Sequence, residues 1–200
     1  MKKQLISLCL VIGAIAFAQS TGGPRFGIKA GGNLSGLTGS DSRSKLGFYA
    51  GAFVNFPLSG VFSIQPEVVY SQQGAKLNDR YFFGGIFTAT EMRQTLEYIN
   101  VPLMVQYKAT PKFYLEAGPE FGFLINAKFK EHFLGESLSR DNKDLLNTFN
   151  FGAGIGLGYK FTPNLGVNVR YIAGLSKISK DDLGDSSKNT NFQFGLTYTM

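Results

Sequence analysis

The segment Phe62-Ser63-Ile64-Gln65-Pro66-Glu67-Val68-Val69-Tyr70-Ser71-Gln72-Gln73 alternates: Phe62, Ile64, Val68 and Tyr70 fall on one parity, and Ser63, Gln65, Glu67, Ser71 and Gln73 on the other. A period of two sorts residues onto the two faces of a β-strand, because successive side chains point to opposite sides of the pleat. One face of this strand is therefore apolar and the other polar, with a carboxylate, Glu67, in the middle of the polar face.

Working outward, the same period recurs on both sides. Before this segment it appears in Phe26 to Leu34 and in Leu46 to Phe56. After it come Glu97 to Tyr107, Phe113 to Ile125, Phe149 to Phe161, Leu165 to Leu175, and Phe192 to Met200. That makes eight strands, each with one apolar parity. The connections between them alternate in length: residues 35–45, 57–61, 74–95, 108–112, 126–148, 162–164 and 176–191. The short ones hold Pro57-Leu58-Ser59-Gly60, Ala109-Thr110-Pro111 and Thr162-Pro163-Asn164, which is turn chemistry. Short turns at one end and long polar connections at the other are the pattern of an outer-membrane barrel, and strands of roughly 9 to 11 tilted residues cross its hydrocarbon core. The expected fold is all-β: an eight-stranded antiparallel up-and-down transmembrane β-barrel.

Cost decides which face meets lipid. A Lys or Arg on the lipid side at the bilayer midplane costs about 2 to 4 kcal/mol, so Lys29, Glu67, Glu116, Glu120 and Arg170 must line the interior. In so narrow a lumen they are expected to form one polar ion-pair network, Lys29 and Arg170 against the three carboxylates, because unpaired buried charge is expensive. Eight inward glycines (118, 122, 152, 154, 156, 158, 166 and 174) would fill out that interior, leaving no wide pore. Phe56, Phe62, Tyr107, Phe113, Tyr159 and Phe161 flank the three short turns and are expected to form an aromatic girdle at the periplasmic interface.

The first residues carry an address. Lys2 and Lys3 precede an uncharged apolar run from Leu5 to Phe17, closed by Ala16-Phe17-Ala18. The run is shorter than the roughly 20 residues a spanning helix needs, so residues 1–18 read as a signal peptide cleaved between Ala18 and Gln19, with residues 19–200 the barrel domain. Cys9 lies inside that run behind Leu8, which argues against lipidation, and cleavage removes the one cysteine of the chain. One Cys and one His exclude an internal disulfide and a metal site built on paired His or Cys ligands.

Several stretches invite a chemical reading and carry a plainer one. Gly152-Ala153-Gly154-Ile155-Gly156-Leu157-Gly158 repeats every two residues without the spacing of a dinucleotide loop, and reads as a glycine-lined inward face. His132 with Ser137 or Ser139 would need an orienting group to make a hydrolase, and the sequence shows none. Asp181, Asp182 and Asp185 lack the regular spacing of a Ca²⁺ loop. The net charge of +6 dissolves on mapping: Lys76, Arg80 and Arg93 meet Asp79 and Glu91, while Lys128, Lys130, Arg140 and Lys143 meet Glu131, Glu136, Asp141 and Asp144. Without a single-sign stripe, no nucleic-acid partner is expected. Tyr81, Phe82, Phe83, Ile86 and Phe87 form an apolar cluster in the second long connection, read as strands three and four continuing past the membrane as a hairpin rather than as a docking patch.

Six stretches together carry a family resemblance: Phe26-Gly27-Ile28-Lys29-Ala30-Gly31-Gly32-Asn33-Leu34, Gly47-Phe48-Tyr49-Ala50-Gly51, Gln65-Pro66-Glu67-Val68-Val69-Tyr70-Ser71-Gln72-Gln73-Gly74, Tyr98-Ile99-Asn100-Val101-Pro102-Leu103, Phe151-Gly152-Ala153-Gly154-Ile155-Gly156, and the leading signal. With these the chain resembles the PorT-like outer-membrane β-barrel family. The resemblance implies a small eight-stranded barrel in outer-membrane lipid, inserted by the barrel assembly machinery, with no catalytic motif and no cofactor. Such barrels usually end on an aromatic residue; here Met200 follows Tyr198, and Phe192, Phe194, Leu196 and Tyr198 keep the alternation.

The resulting expectation is a non-enzymatic, monomeric barrel. Its long loops face outside the cell and serve envelope structure, adhesion or recognition, through an extracellular or envelope protein ligand. Two other readings differ in class. One is an accessory of protein secretion or transport across the outer membrane; the other is a soluble periplasmic lipocalin-like carrier, which would need the apolar parity inside.

Overall fold

Alternation of bulky apolar residues with Gly, Asn, Gln and Ser suits a pleated surface and gives no face to a helix, and the regular elements among the described residues are all strands. A computed structural model describes residues 23–38, 43–83, 86–133, 136–141, 146–177 and 188–200. The expected signal peptide with Ala18 and Gln19, and the loop residues Asp181, Asp182 and Asp185, lie outside the described residues.

The elements in chain order are β1 (Arg25–Thr38), β2 (Arg43–Pro57), β3 (Phe62–Phe83), β4 (Ile86–Lys108), β5 (Phe113–Phe133), β6 (Glu136–Asp141), β7 (Phe149–Lys160), β8 (Leu165–Gly174) and β9 (Lys188–Thr199). Every pairing is antiparallel, and neighbours follow the order β4-β3-β2-β1-β9-β8-β7-β5. A further pairing of β4 with β5 closes the ring, so eight staves make a barrel with no free edge along its wall. The ninth element, β6, pairs only with the far end of β5 and is not a stave.

The three short turns share one device. Ser59, Thr110 and Thr162 each stand three residues before the first residue of the next strand, and each hydroxyl accepts that residue's amide: Phe62 N–H at 3.1 Å, Phe113 at 2.9 Å and Leu165 at 2.9 Å. The backbone closes the same turns from the other side, with the Leu58, Thr110 and Phe161 amides donating to the carbonyls of Phe62, Phe113 and Leu165.

At the opposite end the strands run on. β3 and β4 stay paired to Phe83 opposite Ile86, so the expected hairpin forms. The stretch 126–148, read as a loop, instead carries β5 up to Phe133 and returns as β6, with β4 paired to β5 as far as Glu91 opposite His132. Above the barrel rim β3, β4, β5 and β6 thus form one continuous four-stranded sheet. The sequence hides this because Lys128, Lys130 and Glu131 interrupt the apolar alternation by which a strand with one buried face is recognised.

Two bulges adjust the wall. Between β2 and β3 the register slips by one between Ser44 and Tyr49, opposite Gly74, whose φ of 140° is open to glycine and strained for other residues. Between β4 and β5 the register slips at Glu97/Tyr98, making Ile125 an extra residue. Parity on β5 flips there, so that Leu124 and then Ala127 are both buried. With Leu96, Tyr98 and Leu146 they form an apolar cluster at the long-connection end.

Candidate functional site: the lumen and the outer belt

The barrel turns its apolar parity outward. Phe26, Ile28, Phe48, Val68, Val105, Leu115, Ile155, Tyr171, Phe194 and Leu196 are exposed, from every stave in turn, while Lys29, Glu67, Glu116 and Arg170 are buried. A soluble carrier would have the reverse, so the lipocalin-like alternative is overturned by the faces themselves. An outer surface this apolar is not stable in water.

Inside, the ion pairs are built from four strands. The Glu67 carboxylate on β3 takes a two-pronged contact from Arg170 on β8, Nη1 to Oε2 at 3.0 Å and Nη2 to Oε1 at 2.8 Å. Lys29 Nζ on β1 donates to Glu67 Oε2 at 3.0 Å. Arg170 Nε reaches Glu116 Oε1 on β5 at 2.8 Å. Amides complete the shell, Gln65 donating to Glu67 at 2.9 Å and Gln106 to Glu116 at 3.1 Å. The four charged side chains are no more than 1% exposed. Two cations and two carboxylates cancel, which is the condition under which buried charge is tolerated.

Glu120, expected in this network, does not join it. It lies four residues along β5 from Glu116, about 13 Å at the rise of a strand, and its Oε1 accepts instead from Asn100 Nδ2 at 3.0 Å. Parity puts Glu120 inside, as expected; its level in the lumen puts it a layer above the ion pairs. A sixth buried charge, Lys45, escapes the sequence reading because it stands one residue before the expected start of its strand. Its ammonium donates to Thr95 Oγ1 at 2.7 Å and to the Gln73 carbonyl at 3.3 Å.

Inward glycines make room for inward rings. A Cβ at Gly158 would fall on the Tyr114 ring, its register partner on β5; one at Gly27 would meet Phe53, its partner on β2; one at Gly195 would meet the Tyr49 hydroxyl. Tyr49 in turn donates across the lumen to Asn168 Oδ1 at 3.3 Å. Among the described residues, beside the rings laid over glycines, are cavities of about 20 Å³ on either side of the ion pairs. Each has room for about one water molecule.

At the short-turn end the six expected girdle residues all stand on the outer parity. Phe62 and Tyr107 are register partners with ring centroids 5.3 Å apart, Phe113 pairs with Tyr159, and Tyr159 lies 5.5 Å from Phe161. Phe62, Tyr107, Tyr159 and Phe161 are exposed, and Phe56 and Phe113 half-buried. His132 and Ser137 stand opposite each other in the β5–β6 register, with side chains outside the described residues. Among the described residues no group of three His, Cys, Asp or Glu comes together.

Comparison with known proteins agrees with this geometry. Residues 17–180 match the family model described as the outer membrane protein beta-barrel domain. Neisserial surface protein A is 12% identical, with 88% of this chain and 97% of that one aligned at a TM-score of 0.52. A major outer membrane protein of Thermus thermophilus is 16% identical, with 88% and 99% aligned at a TM-score of 0.51. At such identities the likeness shows the fold. Among curated proteins none matches the sequence. An outward apolar belt on eight closed staves, with its charges inside and a family match over most of its length, makes this chain a member of the outer membrane protein beta-barrel domain family, seated in the lipid of the outer membrane.

Proposed function

We propose that this protein is a non-enzymatic, monomeric recognition or adhesion barrel, whose working surface is the four-stranded sheet of β3, β4, β5 and β6 above the rim. The observation that carries the reading is the length of β3 and β4. From Gln73 to Phe83 the strand continues for ten residues, about 33 Å of chain, and the pairing of Phe82 with Phe87 sets the aromatic cluster at the tip. The barrel below is a rigid mount, pinned by the Arg170–Glu67 contact. Residues 1–18 act as a cleaved signal, the barrel assembly machinery inserts the chain, and Phe56, Phe62, Tyr107, Phe113, Tyr159 and Phe161 form the girdle at the periplasmic interface. Within the family the chain stands with the PorT-like barrels.

The test shortens the hairpin without disturbing the wall. Lys76 and Arg93 are register partners, so residues 77–92 can be replaced by Asn-Gly, a two-residue hairpin turn. Cells displaying the intact protein should adhere to an apolar surface or to host-cell extracellular material more than cells lacking it. Cells displaying the shortened barrel at equal density should fall to the background. Equal adherence would remove the sheet from the function, and co-purification of a periplasmic protein with both forms would favour a secretion accessory.

A further inference from the structure

Between the ion-pair layer and the apolar cluster, the lumen holds a polar chamber of about 20 Å³ lined by Tyr98, Asn100, Glu120, Asn150, Asn189 and Asn191, among others. Its walls are unusual in leaving polar atoms without partners. Glu120 is 7% exposed, and its Oε2 accepts no hydrogen bond; Asn191, 2% exposed, has neither amide atom bonded; Asn189, 6% exposed, has its Oδ1 free, while its Nδ2 donates to Gln73 Oε1. Buried polar atoms are nearly always satisfied, and several orphans around one small cavity indicate that something polar belongs there.

The composition of the wall says what. Three unpartnered oxygen acceptors belong to residues of this wall, one from a carboxylate and two from amides, against one unpartnered donor, Asn191 Nδ2. Oxygens of this kind bind hard cations. Lys29 and Arg170 are engaged by Glu67 and Glu116 one layer below, and no ion pair reaches Glu120 among the described residues. One carboxylate and room for about one water-sized body fit a monovalent ion better than Ca²⁺, which takes six to eight oxygens and usually several carboxylates.

We propose that this chamber is a binding site for a single monovalent cation, Na⁺ or K⁺, with Glu120 Oε2 supplying the charge and Asn189 Oδ1 and Asn191 Oδ1 completing the oxygen shell. The ion would tie β5 to β9, which are separated by β7 and β8 in the ring.

The experiment uses the full barrel refolded in detergent. The temperature at which its heat-dependent gel mobility changes is measured in NaCl, in KCl and in N-methyl-D-glucamine chloride at one ionic strength, for wild type, Glu120→Gln and Asn191→Leu. The expected result is a saturable rise of a few degrees with one of the small cations, halved or lost in Asn191→Leu and absent in Glu120→Gln. If a variant does not fold, crystals of the wild-type protein grown with Tl⁺ decide, since an anomalous peak is expected beside Glu120 Oε2. Equal midpoints in all three salts, the same rise in Glu120→Gln, or no peak in the chamber would each overturn the proposal, the last leaving water as the occupant.

Discussion

Arg170 and Glu67 stand on opposite walls of the barrel. Going round the ring from β8 to β3 takes four steps in either direction, and the guanidinium spans the lumen to meet the carboxylate with two hydrogen bonds of 3.0 and 2.8 Å. A two-pronged contact between diametrically opposed staves fixes the cross-section, and the second carboxylate, Glu116, holds the same guanidinium from the side.

Arg170→Ala leaves Glu67 facing Lys29 alone and Glu116 without a cation. Removing one partner of a buried pair costs about 3 to 5 kcal/mol, and the variant should lose about that much in urea unfolding from vesicles. Lys29→Met should lose less, since Arg170 still covers both carboxylates. Equal losses from the two would mean that the Arg170 contact is not the tie across the lumen.

Gly158 and Tyr114 form a matched pair. Gly158→Ala puts a methyl group into the ring, and overpacking of this kind typically costs about 1 to 3 kcal/mol. Combining it with Tyr114→Ala should relieve the clash, so that the two changes together are less destabilising than their sum. A double-mutant cycle on unfolding midpoints checks it, and strict additivity would show that the ring lies elsewhere.

Ile155, in mid-strand on β7, is 65% exposed on the outer face. Ile155→Arg should therefore cost about 2 to 4 kcal/mol in a bilayer. The same replacement at Val61, in a short turn, should be nearly neutral because it lies beside water. Comparable losses at the two sites, measured by equilibrium unfolding from vesicles, would place Ile155 away from the hydrocarbon.

The turn hydroxyls predict a smaller effect. Thr110→Val and Thr162→Val each remove one acceptor for the first amide of the following strand, worth about 0.5 to 1.5 kcal/mol. Ser substitutions should retain the stability, because the hydroxyl is what matters. A Val variant as stable as its Ser counterpart in urea titration would count against the device.

How far the sequence reaches is clear from particular residues. Glu67, Lys29, Glu116 and Arg170 can be placed inside because parity and the cost of charge in lipid decide the face. For Glu120 parity finds the right face and not the layer, since it says nothing about height in the lumen; that depends on the register of each stave with the next, which is set by pairing across the ring. The bulge at Ile125 and the return strand β6 are hidden for a related reason. Both lie toward the long-connection end, where Lys128, Lys130 and Glu131 interrupt the apolar alternation. The coupling of Gly158 to Tyr114 and of Gly27 to Phe53 needs register as well. Each glycine is visible as an inward residue, but the ring it accommodates is on another strand.

The apolar parity faces lipid, and the chain offers a clean test of this because it contains no Trp. Tyr171 on the outer face of β8 is 45% exposed, and Tyr49 on the inner face of β2 is 1% exposed. Tryptophan can be introduced singly, as Tyr171→Trp and Tyr49→Trp, and the protein refolded into vesicles of lipids brominated along their acyl chains. Fluorescence of the Tyr171→Trp protein should be strongly quenched relative to unbrominated vesicles, and that of the Tyr49→Trp protein little changed. Quenching of the Tyr49→Trp protein alone, or of neither, would mean that the apolar parity does not face the acyl chains.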